Sequence, residues 1–341
     1  MLNFSSDYME CAHPRILDAI AHMNFEKNPG YGTDDYCARA QEKIRTACAC
    51  PEASVHFLVG GTQANCTVID AVLHRCECVL SAETGHINVH EAGAVEASGH
   101  KIIALPATEG KLSAAEVAAY YDNWMQDENR DHTTAPGMVY LSHPTEYGTL
   151  YTKAELEAMH AVCAKRGLPL FVDGARLGYG LAAACTDVTL PVLGANCDVF
   201  YIGGTKVGAL FGEAVVFTNP ALVRYFFTLT KQHGALLAKG FLLGVQFETL
   251  FTDGLYLEIS AHAIRLAEKL DAALREKGYR FALATQSNQI FVVLTNEQYD
   301  ALKQKVGMGF WEKPDASHTT VRLATSWATT ESDVDALIAL L

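Results

Sequence analysis

Asp173 and Lys206 are the residues of this chain whose settings point most directly to chemistry. An apolar strand, Phe171-Val172, delivers the carboxylate into Gly174-Ala175-Arg176, and a second apolar stretch, Val199-Phe200-Tyr201-Ile202, delivers the lysine through Gly203-Gly204-Thr205. A carboxylate that keeps a pyridine nitrogen charged, and a lysine that carries an aldehyde cofactor as a Schiff base, together make a pyridoxal-phosphate site. Either fragment alone reads equally well as a buried strand end or a solvated loop lysine. The small and hydroxylic neighbours of Lys206, Thr205 among them, favour the functional reading.

A third segment supports the same chemistry. Val55 to Val59 reads as a short buried strand that runs into Gly60-Gly61-Thr62-Gln63-Ala64-Asn65. Two glycines let backbone amides approach an anion, Thr62 adds a hydroxyl, and a helix beginning there turns its positive end to the same point. Gly61 and Thr62 therefore read as the seat of the cofactor phosphate. A glycine pair before a helix is often only a tight turn; its position ahead of the carboxylate and lysine strands gives it the phosphate role. Arg176 follows Asp173 closely enough for one helical turn to bring its guanidinium beside the cofactor, where a planar fork suits a carboxylate. Arg322 sits in the apolar run Thr320 to Ala324, where a charge is costly without a partner. An ordinary ion pair and a substrate clamp are both open to it.

The elements that must position these residues alternate along the chain. Helical patterns at 14–23, 34–49, 62–74, 86–97, 113–129 and 153–166 are interleaved with strands at 55–59, 78–81, 101–105, 138–142, 170–172, 198–202 and 214–217. That alternation predicts a mostly parallel sheet with helices on both faces. Beyond Asn219 the pattern changes to long helices at 220–239, 241–251 and 256–277, then to short strands and helices that suggest a small α+β domain. The expected organisation is an N-terminal segment 1–25 packing with the small domain, a large domain over 26–245 and a small domain over 246–341.

Composition bounds the rest. With 341 residues, half of them apolar, the chain can build one large domain and a smaller one. No apolar run approaches the ~20 residues of a membrane span, and the start, Met1 to Asp7, carries no secretory pattern. A cytoplasmic location is the expectation. A net charge of -13 argues against a nucleic-acid or anionic-membrane partner, whose phosphates it repels. The ten cysteines lack zinc-site spacing and read as free thiols. His86 and His90, with Glu91 next, are not in the order of a zinc-protease motif and indicate no third ligand, so no metal is expected.

On these motifs the chain resembles the β-eliminating lyase family of fold-type I pyridoxal-phosphate enzymes, and within it the low-specificity L-threonine aldolases. The similarity runs from Ser6-Asp7 to Val321-Arg322-Leu323. It implies a fold-type I transferase-like α/β architecture with a seven-stranded type of sheet, and pyridoxal 5'-phosphate as cofactor. It further implies that Lys206 carries the cofactor, Asp173 meets the ring nitrogen and His86 stacks on the pyridine face, with Gly61 and Thr62 binding the phosphate and Thr205 also among the cofactor-binding residues. Ser6, Arg176 and Arg322 would hold a substrate α-carboxylate. Tyr31, in Pro29-Gly30-Tyr31-Gly32-Thr33-Asp34, matches a family loop that reaches a neighbouring subunit's site, so a homodimer or homotetramer with shared sites is implied.

The implied activity is retro-aldol cleavage of a threonine-like β-hydroxy-α-amino acid to glycine and an aldehyde. The base for the β-hydroxyl is ascribed first to His86, then to His143 and Glu146. The chain also departs from the family. A histidine common in a Thr-His-Asn stretch becomes Thr145, an aromatic residue after the stacking histidine becomes His90, and a glycine- and arginine-rich segment becomes Lys231 to Gly240. His90 is therefore expected to touch the substrate side chain. Two other functions stay open: β-elimination from a cysteine-like or aromatic amino acid, and a non-catalytic cofactor-binding regulatory subunit.

Overall fold

The computed structural model describes residues 2–341. Its centre is a seven-stranded sheet in the order Ser54–Leu58, Glu213–Phe217, Val199–Gly203, Leu170–Asp173, Ala135–Ser142, Glu77–Ala82, Lys101–Leu105. All neighbouring pairs are parallel except the two made by Glu213–Phe217, which runs antiparallel to both its partners.

The sheet is buried on both faces, so its strands read as continuous apolar runs. Side chains still alternate. Leu80, Leu141, Val172, Phe200 and Val216 join the core on one face, while Val79, Tyr140, Phe171, Tyr201 and Val215 join that on the other. Burying each such side chain is worth roughly 1.5–3 kcal/mol, which pins the register, because a one-residue slip would exchange the two faces. Register then decides what meets Asp173. Tyr140 pairs with Phe171 and Ser142 with Asp173 on one side, and Val172 pairs with Phe200 on the other. Tyr140 and Tyr201 thus share the face of Asp173 and flank it.

The smaller unit is a four-stranded antiparallel sheet, Gly309–Glu312, His318–Ala324, Gln289–Thr295 and Arg280–Phe281, under the helices Leu255–Glu276 and Glu331–Leu340. Leu2–Asn3 pairs in parallel with Val306–Gly307, and Phe4 enters this smaller core. The helix Pro14–Met23 packs instead against Phe241–Leu250, with Ile16 in the core of the large sheet.

Two long helices expected from the sequence are interrupted. The stretch 86–97 is two single turns, His86–Val89 and Ala94–Ala97, separated by Ala92 at φ 53° and Gly93 at φ 75°. The stretch 220–239 holds a short 3₁₀ turn, Pro220–Val223, and the helix Phe226–Gln232, with Tyr225 at φ 64° between them. Positive φ breaks the right-handed helical path, and hydrophobic spacing carries no sign of it.

Candidate active site

Each chemical side chain sits at a strand end or in the turn that follows. Asp173 ends its strand, fully buried, with four donors around it. Asn65 Nδ2 reaches Oδ2 at 2.9 Å and the Tyr140 hydroxyl reaches it at 2.6 Å. The Ala175 amide reaches Oδ1 at 2.9 Å, and the Tyr201 hydroxyl donates to the same oxygen. Burial opposes ionisation, but nearby His86 and the tyrosine and asparagine donors prevail and hold the carboxyl below its ordinary range. The turn after it is tight: a Cβ on Gly174 would lie 2.0 Å from the Tyr201 carbonyl oxygen, and one on Gly203 would lie 2.3 Å from that of Ala175. Glycine at both positions lets the carboxylate and lysine turns touch through bare backbone.

Lys206 follows from that contact and is half-buried in the cavity wall. Burial, with the charge of Arg176, lowers its pKa below that of an ordinary lysine, against the opposing pull of Asp7, Asp173 and Glu213. A lysine so depressed is more often the free amine that attacks a carbonyl. Asp173 and Lys206 line a cavity of about 270 Å³ together with Gly60, Gly61, Thr62 and Thr205. The helix Gly61–Val72 starts at the cavity wall, and a Cβ on Gly61 would come 3.0 Å from the Tyr201 hydroxyl. These residues fit pyridoxal phosphate: an amine, a buried anion for the ring nitrogen, and a bare helix start with hydroxyls for the phosphate.

A second cavity, of about 560 Å³, adjoins the first and shares Tyr8, His86, Glu146, Arg176 and Lys206 with it. His86 Nδ1 lies 2.8 Å from Glu91 Oε1, which also accepts from Asn65 Nδ2 at 2.7 Å. Asn65 thereby joins Glu91 to Asp173 in one buried network. His90 lines the larger cavity with its ring 5.6 Å from that of His86, and Trp311 and Tyr147 form the wall beyond. Although the helix ends at Val89, the His90 amide still bonds to the His86 carbonyl, so the two imidazoles remain one turn apart.

The two arginines differ. Arg176 is held by Asp7 in a fork, Nε to Oδ2 at 2.7 Å and Nη2 to Oδ1 at 2.9 Å. Burial raises the carboxyl pKa of Asp7, but Arg176 outweighs it and brings it to about 2. Arg322 has no carboxylate partner among the described residues. It donates to the Ser5 carbonyl at 2.9 Å and to Gln289 Oε1 at 3.2 Å, and its buried Nε has no acceptor. The Ser6 hydroxyl, between the Ser5 and Asp7 contacts, is also buried without a partner.

Tyr31 lies outside both cavities. It is exposed, at φ 63°, with the Lys231 ammonium 4.8 Å from its ring centroid. His143 is enclosed and lines neither cavity; its Nδ1 accepts from the Tyr151 amide at 3.3 Å. Sequence reading did not single out Asn65, Tyr140, Tyr201, Glu91, Glu213 or Asp7 for roles. Strand alternation placed Tyr140 and Tyr201 in the interior, but only pairing order puts them beside Asp173.

The geometry is that of a fold-type I pyridoxal-phosphate-dependent lyase. A model of the β-eliminating lyase family matches residues 3–307, and the chain belongs to that family. Over 341 residues it is 30% identical to the low specificity L-threonine aldolase of Pseudomonas sp. strain NCIMB 10558, with 98% of this chain and 96% of that protein covered. The low specificity L-threonine aldolase of Pseudomonas aeruginosa is 31% identical over 306 residues, 89% and 87% of the two chains. The structure of Leishmania major threonine aldolase superposes with a TM-score of 0.97 at 41% identity, covering 100% of this chain and 98% of that one. Thermus thermophilus aspartate aminotransferase, at TM-score 0.75 and 14% identity over 100% and 90% of the chains, shares the fold.

Proposed function

We propose that the protein cleaves L-threonine-like β-hydroxy-α-amino acids into glycine and an aldehyde. The observation that carries this reading is the convergence of Lys206, Asp173 and Arg176 on one cavity that opens directly into the space beneath Arg322. When bound, pyridoxal phosphate supplies an electron sink for the pair left on Cα as the Cα–Cβ bond breaks.

The chain's own groups do the rest. Lys206 would hold the cofactor through its amine. Asp173, kept ionised by its four donors, keeps the ring nitrogen charged. His86 would stack on the cofactor ring, its imidazole held by Glu91. Gly61 and Thr62 would take the phosphate, with Thr205 beside them at the cofactor. Arg322, with no anionic partner of its own, takes the α-carboxylate with Ser6, and Arg176 backs it while anchored by Asp7. His90 faces the side-chain space. Tyr31 serves the site of a neighbouring copy in a cytoplasmic homo-oligomer.

The experiment is to supply L-threonine and L-allo-threonine separately and to assay glycine, acetaldehyde and pyruvate in the same reactions. Equal glycine and acetaldehyde without pyruvate is the expected result. Pyruvate with ammonia, from these or from cysteine-like substrates, would establish the β-eliminating alternative instead.

A further inference from the structure

Among the described residues, the buried Asp34 and Glu91 and the half-buried Glu146 each leave one carboxylate oxygen enclosed without a hydrogen-bond partner. Of the three, Glu146 alone lines the catalytic cavities, and it lines both. Its Oε1 is committed: the His86 amide donates to it at 2.9 Å, and the Ser142 hydroxyl donates to it as well. Two donors on one oxygen fix the carboxyl plane and leave Oε2 as a single free acceptor. A buried acceptor left bare costs on the order of 1–3 kcal/mol, which a ligand hydroxyl in that position would relieve.

We propose that Glu146, through Oε2, is the catalytic base that takes the β-hydroxyl proton. The inference rests on the aldolase reading above. In the step, the O–H bond breaks and its proton goes to Oε2, the C–O bond becomes a carbonyl, and the Cα–Cβ bond breaks with its electron pair staying on Cα. One proton leaves oxygen and one is later returned to Cα, so no co-reactant is consumed.

The nearby alternatives are already engaged. His86 is half-buried, and although desolvation opposes its charged form, the Nδ1 bond to Glu91 and the charge of Asp173 outweigh this and raise its pKa above the ordinary imidazole value; that Nδ1 is already taken by Glu91 Oε1 at 2.8 Å. Burial pushes His143 down to about 4, and the ring lies outside both cavities. The Thr145 hydroxyl is paired with that of Thr149 at 2.6 Å. For Glu146, burial raises the pKa above its ordinary value against the lowering effect of Ser142, the direction that makes a carboxylate a stronger base.

The test uses the holoenzyme and two rates. One is threonine cleavage; the other is exchange of the glycine α-proton for deuterium, followed by NMR. Glycine has no β-hydroxyl, so its exchange needs the cofactor and Lys206 but not this base. In Glu146→Gln, kcat/KM for cleavage should fall by at least about 100-fold, while glycine exchange and the visible band of the bound cofactor stay near wild type. Cleavage within about tenfold of wild type, or equal loss of both rates, overturns the assignment. Should the glutamine variant lose its cofactor band, Glu146→Asp decides by the same split between the two rates. Wild-type protein that releases pyruvate in place of glycine and acetaldehyde would overturn the aldolase reading itself, whereas wild-type cleavage with an active glutamine variant overturns only the base.

Discussion

Asp173, buried, and Glu146, half-buried, are carboxylates on the same cavity, yet they are built in opposite ways. Asp173 has four donors on two oxygens, whereas Glu146 has two donors on one oxygen and none on the other. The arginines repeat the contrast. Arg176 is locked to Asp7, and Arg322 reaches neutral oxygens only and leaves Nε bare. At the cofactor floor the Asp173 carboxylate and the Arg176 fork are held by the protein, so their geometry and charge are set before anything binds. At the substrate rim, acceptor and donor positions are left for a ligand to fill. The difference follows from the elements: the floor is made of central strand ends packed on both faces, and the rim is made of a turn, a loop and a strand of the small domain.

The largest effects should come from the floor. Lys206→Ala should abolish turnover and should no longer be fixed to the cofactor by borohydride; covalent fixation at wild-type stoichiometry would show another lysine in the role. Asp173→Asn should lower kcat by about 10²–10³-fold, the usual loss when one preorganised electrostatic partner is removed, with circular dichroism unchanged. Near-normal kcat would place the ring nitrogen elsewhere.

The two arginines should then separate. Arg176→Ala strands Asp7 as a buried unpaired carboxylate, which costs about 3–5 kcal/mol, so it should lower the melting temperature strongly. Arg322→Ala should leave stability nearly unchanged and weaken glycine binding by roughly 1.5–3 kcal/mol, the worth of a charge-assisted bond. Equal melting temperatures for the two variants would collapse the distinction.

The Asp7 pair also gives a pH signature. Its folded pKa, about 2, lies below the ordinary carboxylate value. Its stabilising contribution, about 2 kcal/mol by linkage, is complete above the unfolded-state value near pH 4 and is lost as pH falls through about 2. Acid unfolding of wild type between pH 4 and 2 should therefore be steeper than that of an Asp7→Asn, Arg176→Met double variant.

The smallest effect belongs to the rim. His90→Phe should change the ratio of kcat/KM between threonine and a bulkier β-hydroxy amino acid by several-fold, on the order of the 1–3 kcal/mol that one pocket contact discriminates, without altering the cofactor's absorbance. Equal effects on all substrates would return His90 to a packing role.

Much of the floor was readable from the chain because its logic is local. A strand that ends in Asp173, a turn of glycines before Lys206 and a glycine pair at a helix start are each contiguous, and each carries a physical reason for its residues. Strand and helix alternation likewise announced the sheet. The breaks at Ala92 and Tyr225 were not readable, because hydrophobic period says nothing about a single positive φ. The roles of His143 and Glu146 were not readable either: in Ser142-His143-Pro144-Thr145-Glu146 both side chains could serve as bases, and the path of one turn sends the first into the core and the second into the cleft.

The sequence by itself determined which groups this protein has for chemistry, and on which face of its own strand each one lies, since side-chain direction along a strand follows from parity alone. Tertiary structure decided which groups meet. Pairing order set Tyr140 and Tyr201 on either side of Asp173, brought Asp7 across from the amino terminus to neutralise Arg176, and left Arg322 and Glu146 with unfilled valence. Those pairings join residues far apart in the chain, and their energies depend on burial and on the partner's charge, quantities that exist only once the strands have packed.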